Sequence, residues 1–250
     1  IGNPGAGWAW RRLTSMKLDD KDCPHISYYD GTNGGLKFAI FDSTSPTVTL
    51  NSPNGGQIFK GGSIQNITWT ATDNFGLTIT LKYSTDEGTS WTLIESGIPN
   101  NLTYPWTVPL INTTKARISI EAEDFAGNAK TDMSANFAID STSPIISNVK
   151  FDGKPYVYGN IISPTPLITA IITDSSSVDA LYNLKLDFTG VQSTIECTTT
   201  YKDIGAPLTY EVTAVPKQPI GGGKYNMGIM GRDLAAPPNE GIGRSGAIEV

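Results

Sequence analysis

The stretch Phe38-Ala39-Ile40-Phe41-Asp42-Ser43-Thr44-Ser45-Pro46 returns later in the chain as Phe137-Ala138-Ile139-Asp140-Ser141-Thr142-Ser143-Pro144. Asp42 and Asp140 are about 98 residues apart, which is close to the roughly 100 residues of a two-sheet β-sandwich. Each copy follows one apolar segment and precedes another, at 47–50 and at 145–149. We therefore expect two tandem sandwiches, a first repeat at 45–140 and a second repeat at 141–250, behind an N-terminal β-meander at 1–44.

Short segments that alternate apolar and polar residues fill both repeats. They lie at 64–71, 77–84, 89–94, 102–108, 117–122 and 136–139 in the first repeat, and at 167–173, 184–188, 193–201, 208–214 and 225–230 in the second. A period of two is typical of strands with one buried face. Glycine turns such as Asn54-Gly55-Gly56 and Asp86-Glu87-Gly88 separate the segments and supply the positive φ angles that hairpins need. The predicted fold class is all-β.

Composition and charge exclude several classes of protein. Of the 250 residues, 38% are hydrophobic and 17% are charged, and the formal net charge is -6. Nucleic-acid binding needs clustered Lys and Arg, whereas this sequence has no basic stripe. No segment approaches the run of about 18 apolar residues that spans a membrane. We expect neither a nucleic-acid partner nor membrane insertion.

Residues that commonly carry catalysis are sparse. The chain has one histidine, His25, and two cysteines, Cys23 and Cys197, which form no metal or redox motif. Triads and zinc sites draw on several His or Cys residues. We therefore expect no enzymatic activity, and the sequence leaves open whether Cys23 and Cys197 form a disulfide.

One motif still invites an enzymatic interpretation. The segment Ser84-Thr85-Asp86-Glu87-Gly88-Thr89-Ser90-Trp91 fits the Ser-x-Asp-x-Gly-x-x-Trp box seen in sialidase-like propellers. In such a box, Asp and Ser bond the turn backbone and Gly takes a positive φ, which is local turn chemistry. We predict a structural hairpin with Trp91 packed beneath it.

Several motifs of the first repeat are fairly specific in combination. They are Ser52-Pro53-Asn54-Gly55-Gly56, Ile67-Thr68-Trp69, Tyr104-Pro105-Trp106-Thr107-Val108-Pro109 and Ala122-Glu123-Asp124-Phe125-Ala126-Gly127-Asn128. With them, residues 45–140 resemble a bacterial extracellular Ig-like module. Residues 141–250 resemble another such module more loosely, and residues 1–41 are similar to one repeat of a propeller-like β array. The resemblance implies an extracellular or cell-surface bacterial protein, in which such modules act as stalks, spacers or adhesive units, and it implies no shared active site.

Six aspartates occupy matching positions in the two repeats. One lies in the linker before each sandwich, one follows the second strand and one begins the loop before the last strand: Asp42, Asp73 and Asp124, then Asp140, Asp174 and Asp233. In an Ig-like sandwich these positions meet at one end. With oxygens of Asn74 or Asn128 and backbone carbonyls they could hold Ca²⁺, which takes about six to eight oxygen ligands, and the ion would stiffen the hinge. The alternative is that each Asp caps a turn through its own backbone.

These observations leave two functions open. The first is a noncatalytic structural or adhesive segment that self-associates through strand exchange or head-to-tail contacts, or binds other surface proteins. The second is an accessory polysaccharide-binding module of a secreted hydrolase, in which exposed aromatic rings stack on sugars. Candidates for that platform are Trp8, Trp10, Tyr28, Tyr29, Tyr156 and Tyr158, whereas Trp69, Trp91 and Trp106 are expected to fill the first core.

Overall fold

The computed structural model describes residues 14–19, 24–74, 76–175, 185–189 and 195–250, and only the backbone of 185–189, 225–227 and 242–248. These residues form strands and turns with no helix among them, so the all-β prediction is confirmed. No described helix could therefore cross a membrane. Trp8, Trp10 and Cys23 lie outside the described residues, and the pairing of Cys23 with Cys197 stays open.

The N-terminal strands form a three-stranded antiparallel meander, with β1 (Thr14–Leu18), β2 (Pro24–Asp30) and β3 (Gly35–Ile40) in that order. The register pairs Ser27 with Phe38 and Met16 with Ile26, which places Phe38 and Met16 on opposite faces. Both side chains are more than half exposed, at 61% and 65%. Neither face of the meander is therefore covered by the described part of the chain.

The first repeat folds into two sheets. Its strands are β4 (Thr47–Ser52), β5 (Ile58–Lys60), β6 (Ile64–Thr72), β7 (Leu77–Ser84), β8 (Thr92–Pro99), β9 (Thr103–Thr107), β10 (Thr113–Asp124), β11 (Ala129–Met133) and β12 (Phe137–Asp140). One sheet has the order β4-β6-β9, and the other has the order β5-β12-β10-β7-β8, with β11 also paired to β10. The predicted strands are present, except that the one expected from residue 89 begins at Thr92. The sequence did not predict β5 or β11.

Apolar side chains of these two sheets form one buried cluster, the first core. The alternation that builds this core is clearest on β10. There Ala116, Ile118, Ile120 and Ala122 are fully buried and alternate with more exposed neighbours. Trp69 and Trp106 lie in this core, as expected. Trp91 was wrongly expected there; its indole packs next to Gly88 in the hairpin instead.

The hairpin of residues 84–91 has the predicted local chemistry. Ser84 Oγ accepts the Gly88 N–H at 2.8 Å, and Asp86 Oδ1 accepts the Ser90 N–H at 2.9 Å. Gly88 has a φ of 92°, a region that an L side chain rarely adopts. The Ser84 and Asp86 side chains therefore serve the turn, and the structural interpretation is confirmed.

The described residues of the second repeat form nine strands in one hydrogen-bonded path. They are β13 (Ile145–Phe151), β14 (Lys154–Pro155), β15 (Asn160–Ile161), β16 (Ile168–Thr173), β17 (Lys185–Thr189), β18 (Ile195–Asp203), β19 (Thr209–Pro216), β20 (Lys224–Arg232) and β21 (Glu240–Glu249). The order is β14-β13-β16-β19-β18-β17-β20-β21-β15. All predicted strands are present, whereas β14 and β15 were not predicted.

Strand β18 connects the two halves of this path, because it pairs with β17 near Ile195 and with β19 from Cys197 onward. The halves enclose a second apolar cluster, the second core, which includes Ile168, Val212 and Ile229. The two cores share no residue. The sheets are consistent with tandem Ig-like or fibronectin-III-like domains.

The two repeats touch through residues 234–239 of the second one. The Ala236 N–H donates to the carbonyl of Ile58 on β5 at 2.8 Å, and Ala236 and Phe59 form a parallel β-bridge. The Ala236 carbonyl also accepts a hydrogen bond from the Gln65 amide at 2.8 Å. This loop therefore covers the outward side of β5, which is the edge strand of its sheet.

The hairpin box generates a prediction about acid titration. The side-chain hydroxyl of Ser90, its N–H and the Ser84 hydroxyl lower the pKa of Asp86 from 3.8 to about 2. The stabilisation from this carboxylate is thus present above the ordinary Asp pKa and is lost as pH falls through about 2. Ser90→Ala removes the strongest donor, so an NMR titration should show the pKa of Asp86 rising toward 3.8.

Ser96→Ala is the matched control, because Ser96 lies in the neighbouring strand β8 and gives no hydrogen bond to Asp86. It should leave the Asp86 titration unchanged. An unaltered pKa in Ser90→Ala would contradict this account of the hairpin.

Candidate metal centres

Inward-facing rows of apolar side chains lead directly to the candidate aspartates. On β10 the row that contains Ile120 and Ala122 reaches Asp124, and on β16 the row that contains Ile172 reaches Asp174 just beyond the strand. Because successive side chains of a strand alternate between faces, the next inward position is fixed by the pattern. Both aspartates are buried. The strands therefore direct carboxylates into the end of each sandwich.

The structure brings all six aspartates together in the two predicted groups. The first aspartate cluster is Asp42, Asp73 and Asp124, and the second is Asp140, Asp174 and Asp233. Within each cluster, one carboxylate oxygen from each residue lies within 4.8 Å of the others. Two oxygens that both lie about 2.4 Å from a calcium ion are at most about 4.8 Å apart. The spacing therefore fits a common ion.

The linker aspartates also cap turns, as the alternative interpretation expects. Asp42 Oδ1 accepts the N–H of Thr44 at 2.8 Å. In the second repeat, Asp140 Oδ1 accepts both the N–H and the hydroxyl of Thr142, at 3.0 and 2.9 Å. These turn bonds engage only Oδ1 of each carboxylate, so capping leaves Oδ2 for other contacts. In Asp42, Oδ2 accepts the side-chain amide of Asn74 at 3.4 Å, so Asn74 also acts as a donor here.

An asparagine amide ties each loop to its linker. Asn128 Nδ2 donates to Asp124 Oδ2 and to the carbonyl of Asp42, both at 2.9 Å. Asn239 repeats the arrangement, since its Nδ2 donates to Asp233 Oδ2 at 2.6 Å and to the carbonyl of the linker aspartate at 3.1 Å. Asn128 was expected as an oxygen ligand, but here its amide nitrogen acts as a donor that positions two aspartates.

The turn chemistry does not satisfy every carboxylate oxygen of the second cluster. Asp140 is 0% exposed, and its Oδ2 has no hydrogen-bond partner among the described residues. A buried carboxylate oxygen without a partner is costly. A cation at this position would supply the missing partner, so the donor set of the second cluster fits a hard cation such as Ca²⁺.

The electrostatics of the two loop aspartates differ. Burial raises the pKa of Asp233, and the nearby charge of Asp140 adds to this effect against the hydrogen bonds from Asn239. Burial also opposes ionisation of Asp124, but hydrogen bonds from Asn128 and from the backbone of the loop together bring its pKa below the ordinary value. Ionisation is therefore favoured at the loop aspartate of the first cluster and disfavoured at that of the second.

Asn239 is the functional residue that the sequence did not identify. Its loop, Asp233-Leu234-Ala235-Ala236-Pro237-Pro238-Asn239, is two residues longer than the loop that ends at Asn128. An available signal was that both loops begin with Asp and end with Asn. The hydrogen bonds show that these two asparagines are equivalent despite the different spacing.

No model of a known protein family matches the sequence. No curated protein matches it either. Among solved structures, the fibronectin(III)-like modules of CbhA from Clostridium thermocellum show a TM-score of 0.40 at 18% identity, with 82% of this chain and 94% of that chain covered. Dimeric latent PorU from Porphyromonas gingivalis shows 0.36 at 12% identity, with 88% of this chain covered. This chain spans only 26% of the PorU chain.

A 1.5-MDa bacterial ice-binding adhesin, described for its retention on the host cell surface, shows a TM-score of 0.32 at 16% identity. The similarity covers 91% of this chain and 74% of that one. With TM-scores this low, the likenesses indicate neither the ligand nor the partner of this chain.

The asparagine ties generate a stability prediction. Asn239→Ala removes the buried donor to the Asp140 carbonyl and to the Asp233 carboxylate. We expect the free energy of unfolding to fall by about 1–3 kcal/mol, the cost of leaving buried acceptors unpaired. Chemical denaturation measures the loss. Asn101→Ala is the control, because this exposed residue lies outside both clusters and should change stability by no more than about 0.5 kcal/mol; equal losses in the two variants would contradict the assignment.

Proposed function

We propose that the chain is a noncatalytic structural segment of an extracellular protein, built from two tandem Ig-like sandwiches, 45–140 and 141–250, behind the meander of residues 1–44. The observation that carries this proposal is the joint between the repeats. The linker residue Asp140 is buried there, and Ala236 covers the β5 edge of the preceding sandwich. Such a joint transmits load and orientation, which is what a stalk or spacer requires.

A divalent cation at the second aspartate cluster stiffens this joint in our proposal. Asp140 ends the last strand of the first repeat, whereas Asp174 and Asp233 belong to the second repeat. An ion held by all three would link the two sandwiches across their linker. It would also offset the mutual repulsion of buried carboxylates, which is strong where water does not screen it.

Asp140→Asn tests this site. Asparagine keeps an acceptor for Thr142 and places an amide where Oδ2 lies, so it removes one charge without removing the turn cap. In chelator, the variant should melt at a higher temperature than the wild type, because one of three clustered charges is gone. In calcium, the wild type should gain about 2.7 kcal/mol at a free ion concentration 100-fold above the dissociation constant, and the variant should gain little.

Glu123→Gln is the matched control, since it makes the same change in charge at an exposed position outside both clusters. It should keep the full calcium-induced stabilisation in thermal melts and in calorimetric titration. Calcium stabilisation that survives in Asp140→Asn would remove the second cluster as the site.

Self-association through the meander is the second part of the proposal. A small isolated sheet is not stable in water unless its apolar face is covered. Leu36 and Phe38 lie on one face of β3 with 78% and 61% of their surface exposed, and β1 and β3 are both edge strands. Strand exchange with a second copy would cover the face and the edges together. A contact of this kind that does not close builds a fibre.

The double variant Leu36→Ser/Phe38→Ser tests this contact. We expect the wild-type chain to form filaments in negative-stain images and the variant to stay dispersed, because the exposed apolar face is gone. Leu93→Ser is the control, since Leu93 is an exposed leucine on β8, and filaments should persist in it. A wild-type chain that sediments as a uniform monomer at high concentration would overturn the proposal, and repeating the images in chelator separates this contact from the cation site.

The alternative, a polysaccharide-binding accessory module, receives less support from the described aromatic residues. Tyr28 and Tyr29 are adjacent on β2 and therefore point to opposite faces. Tyr156 packs against the second core, and Tyr158 alone of the two is exposed. These four rings do not share one surface, as a sugar platform would require.

A further inference from the structure

The two repeats end in the same arrangement of edge strands. In the first repeat, β5 pairs in parallel with β12, and the Gly61 N–H donates to the Asp140 carbonyl at 2.8 Å. In the second repeat, β15 pairs in parallel with β21, and the Ile162 N–H donates to the Glu249 carbonyl at 2.8 Å. Glu249 therefore stands where Asp140 stands.

The registers extend this equivalence to the outward side of the edge strands. Asp140 is paired with Lys60 on β5, and Glu249 is paired with Ile161 on β15. Position 161 thus corresponds to position 60, whose N–H donates to the Ala236 carbonyl at 3.4 Å. In parallel pairing, successive residues of an edge strand direct their backbone groups alternately inward and outward.

The outward side of β15 is open in the described chain. It is the last strand of its path, and no isolated bridge of a described residue reaches it, in contrast to the Phe59–Ala236 bridge on β5. Apolar side chains border it, with Tyr158 at 77% and Ile161 at 78% exposure. An exposed, apolar edge strand is a template for pairing.

We propose that the outward edge of β15, together with Glu249, is a docking surface for a further β-sandwich module that carries the long form of the Asp-to-Asn loop. The partner binds through the same two kinds of contact that join the second repeat to the first. A residue equivalent to Ala236 bridges to β15, and an amide equivalent to that of Asn239 donates to the Glu249 carbonyl. The Glu249 carboxylate takes the position of the linker aspartate.

The length of the loop selects this partner. Ala235 and Ala126 are equivalent, because the N–H of each donates to Oδ1 of its loop aspartate. Ala236, which makes the bridge, belongs to the three-residue segment 236–238 that stands in the second repeat where the Asp124 loop has only Gly127. A second copy of this chain is therefore disfavoured here, because its short loop lacks the bridging residue and its long loop already covers its own β5.

The test extends the chain by a second copy of residues 141–250. The copy is joined directly after Glu249, in place of Val250, which keeps the spacing found after Asp140. Hydrogen exchange of the 159–162 backbone is compared between the extended chain and the original chain. We expect exchange at Ile161 to slow at least tenfold, because its N–H gains an acceptor. In the control, the added copy has Ala236-Pro237-Pro238 replaced by a single glycine, the loop length of the first repeat, and Ile161 should then exchange as in the original chain.

Equal exchange in all three chains would overturn the proposal, as would equal slowing with the long and the short loop. Protection of the original Ala236 N–H in every chain verifies that the first two repeats are folded and joined. The measurement is made in chelator, so its outcome is independent of the cation site. Assembly through the meander is checked by sedimentation of each chain.

Discussion

The joint between the repeats depends on one constraint, which is that three carboxylates lie within 4.8 Å of one another at the end of a sandwich. Like charges in such a cluster repel strongly when they are removed from water. Turn backbones and asparagine side chains donate hydrogen bonds to these carboxylates, and in the second cluster the donors leave Asp140 Oδ2 without a partner. The asparagine that donates to the Asp233 carboxylate also holds the carbonyl of the linker residue Asp140, so the same side chain serves the cluster and the joint.

The sequence predicts the grouping of the six aspartates, and loop aspartates such as Asp124 continue the alternation of the strands. On β10, one row of side chains has a period of two and consists of Ile118, Ile120, Ala122 and Asp124. The last of these therefore lies on the buried face, as the others do. The comparison of the repeats then groups the six residues correctly. The roles of the donors are not readable in the same way, because a spacing does not show whether an asparagine such as Asn128 offers its oxygen or its amide.

The edge strands escape prediction for a different reason. Strands β5 and β15 have three and two residues, too few to show a period of two. Each is defined by its parallel partner far along the chain, and such pairing leaves no local turn signal. The contact of Ala236 with β5 is equally hard to predict from the sequence. It forms because the Pro-containing loop of the second repeat extends across the linker to β5. Strands with hairpin partners, by contrast, can be predicted from the glycine turns that connect them.

The second aspartate cluster and the coverage of the β5 edge are mechanically linked in the second repeat. Asn239 holds the Asp140 carbonyl and the Asp233 carboxylate, and the segment between Asp233 and Asn239 contains the residue that bridges to β5. A change in charge at Asp233 therefore acts on the loop that covers the neighbouring sandwich. The first repeat has the same tie without the bridging residue. Among the described residues, its loop therefore positions the linker and forms no isolated bridge to a neighbouring sheet. Loop length, rather than the aspartates themselves, distinguishes the cluster whose loop bridges to a neighbouring sheet from the cluster whose loop does not.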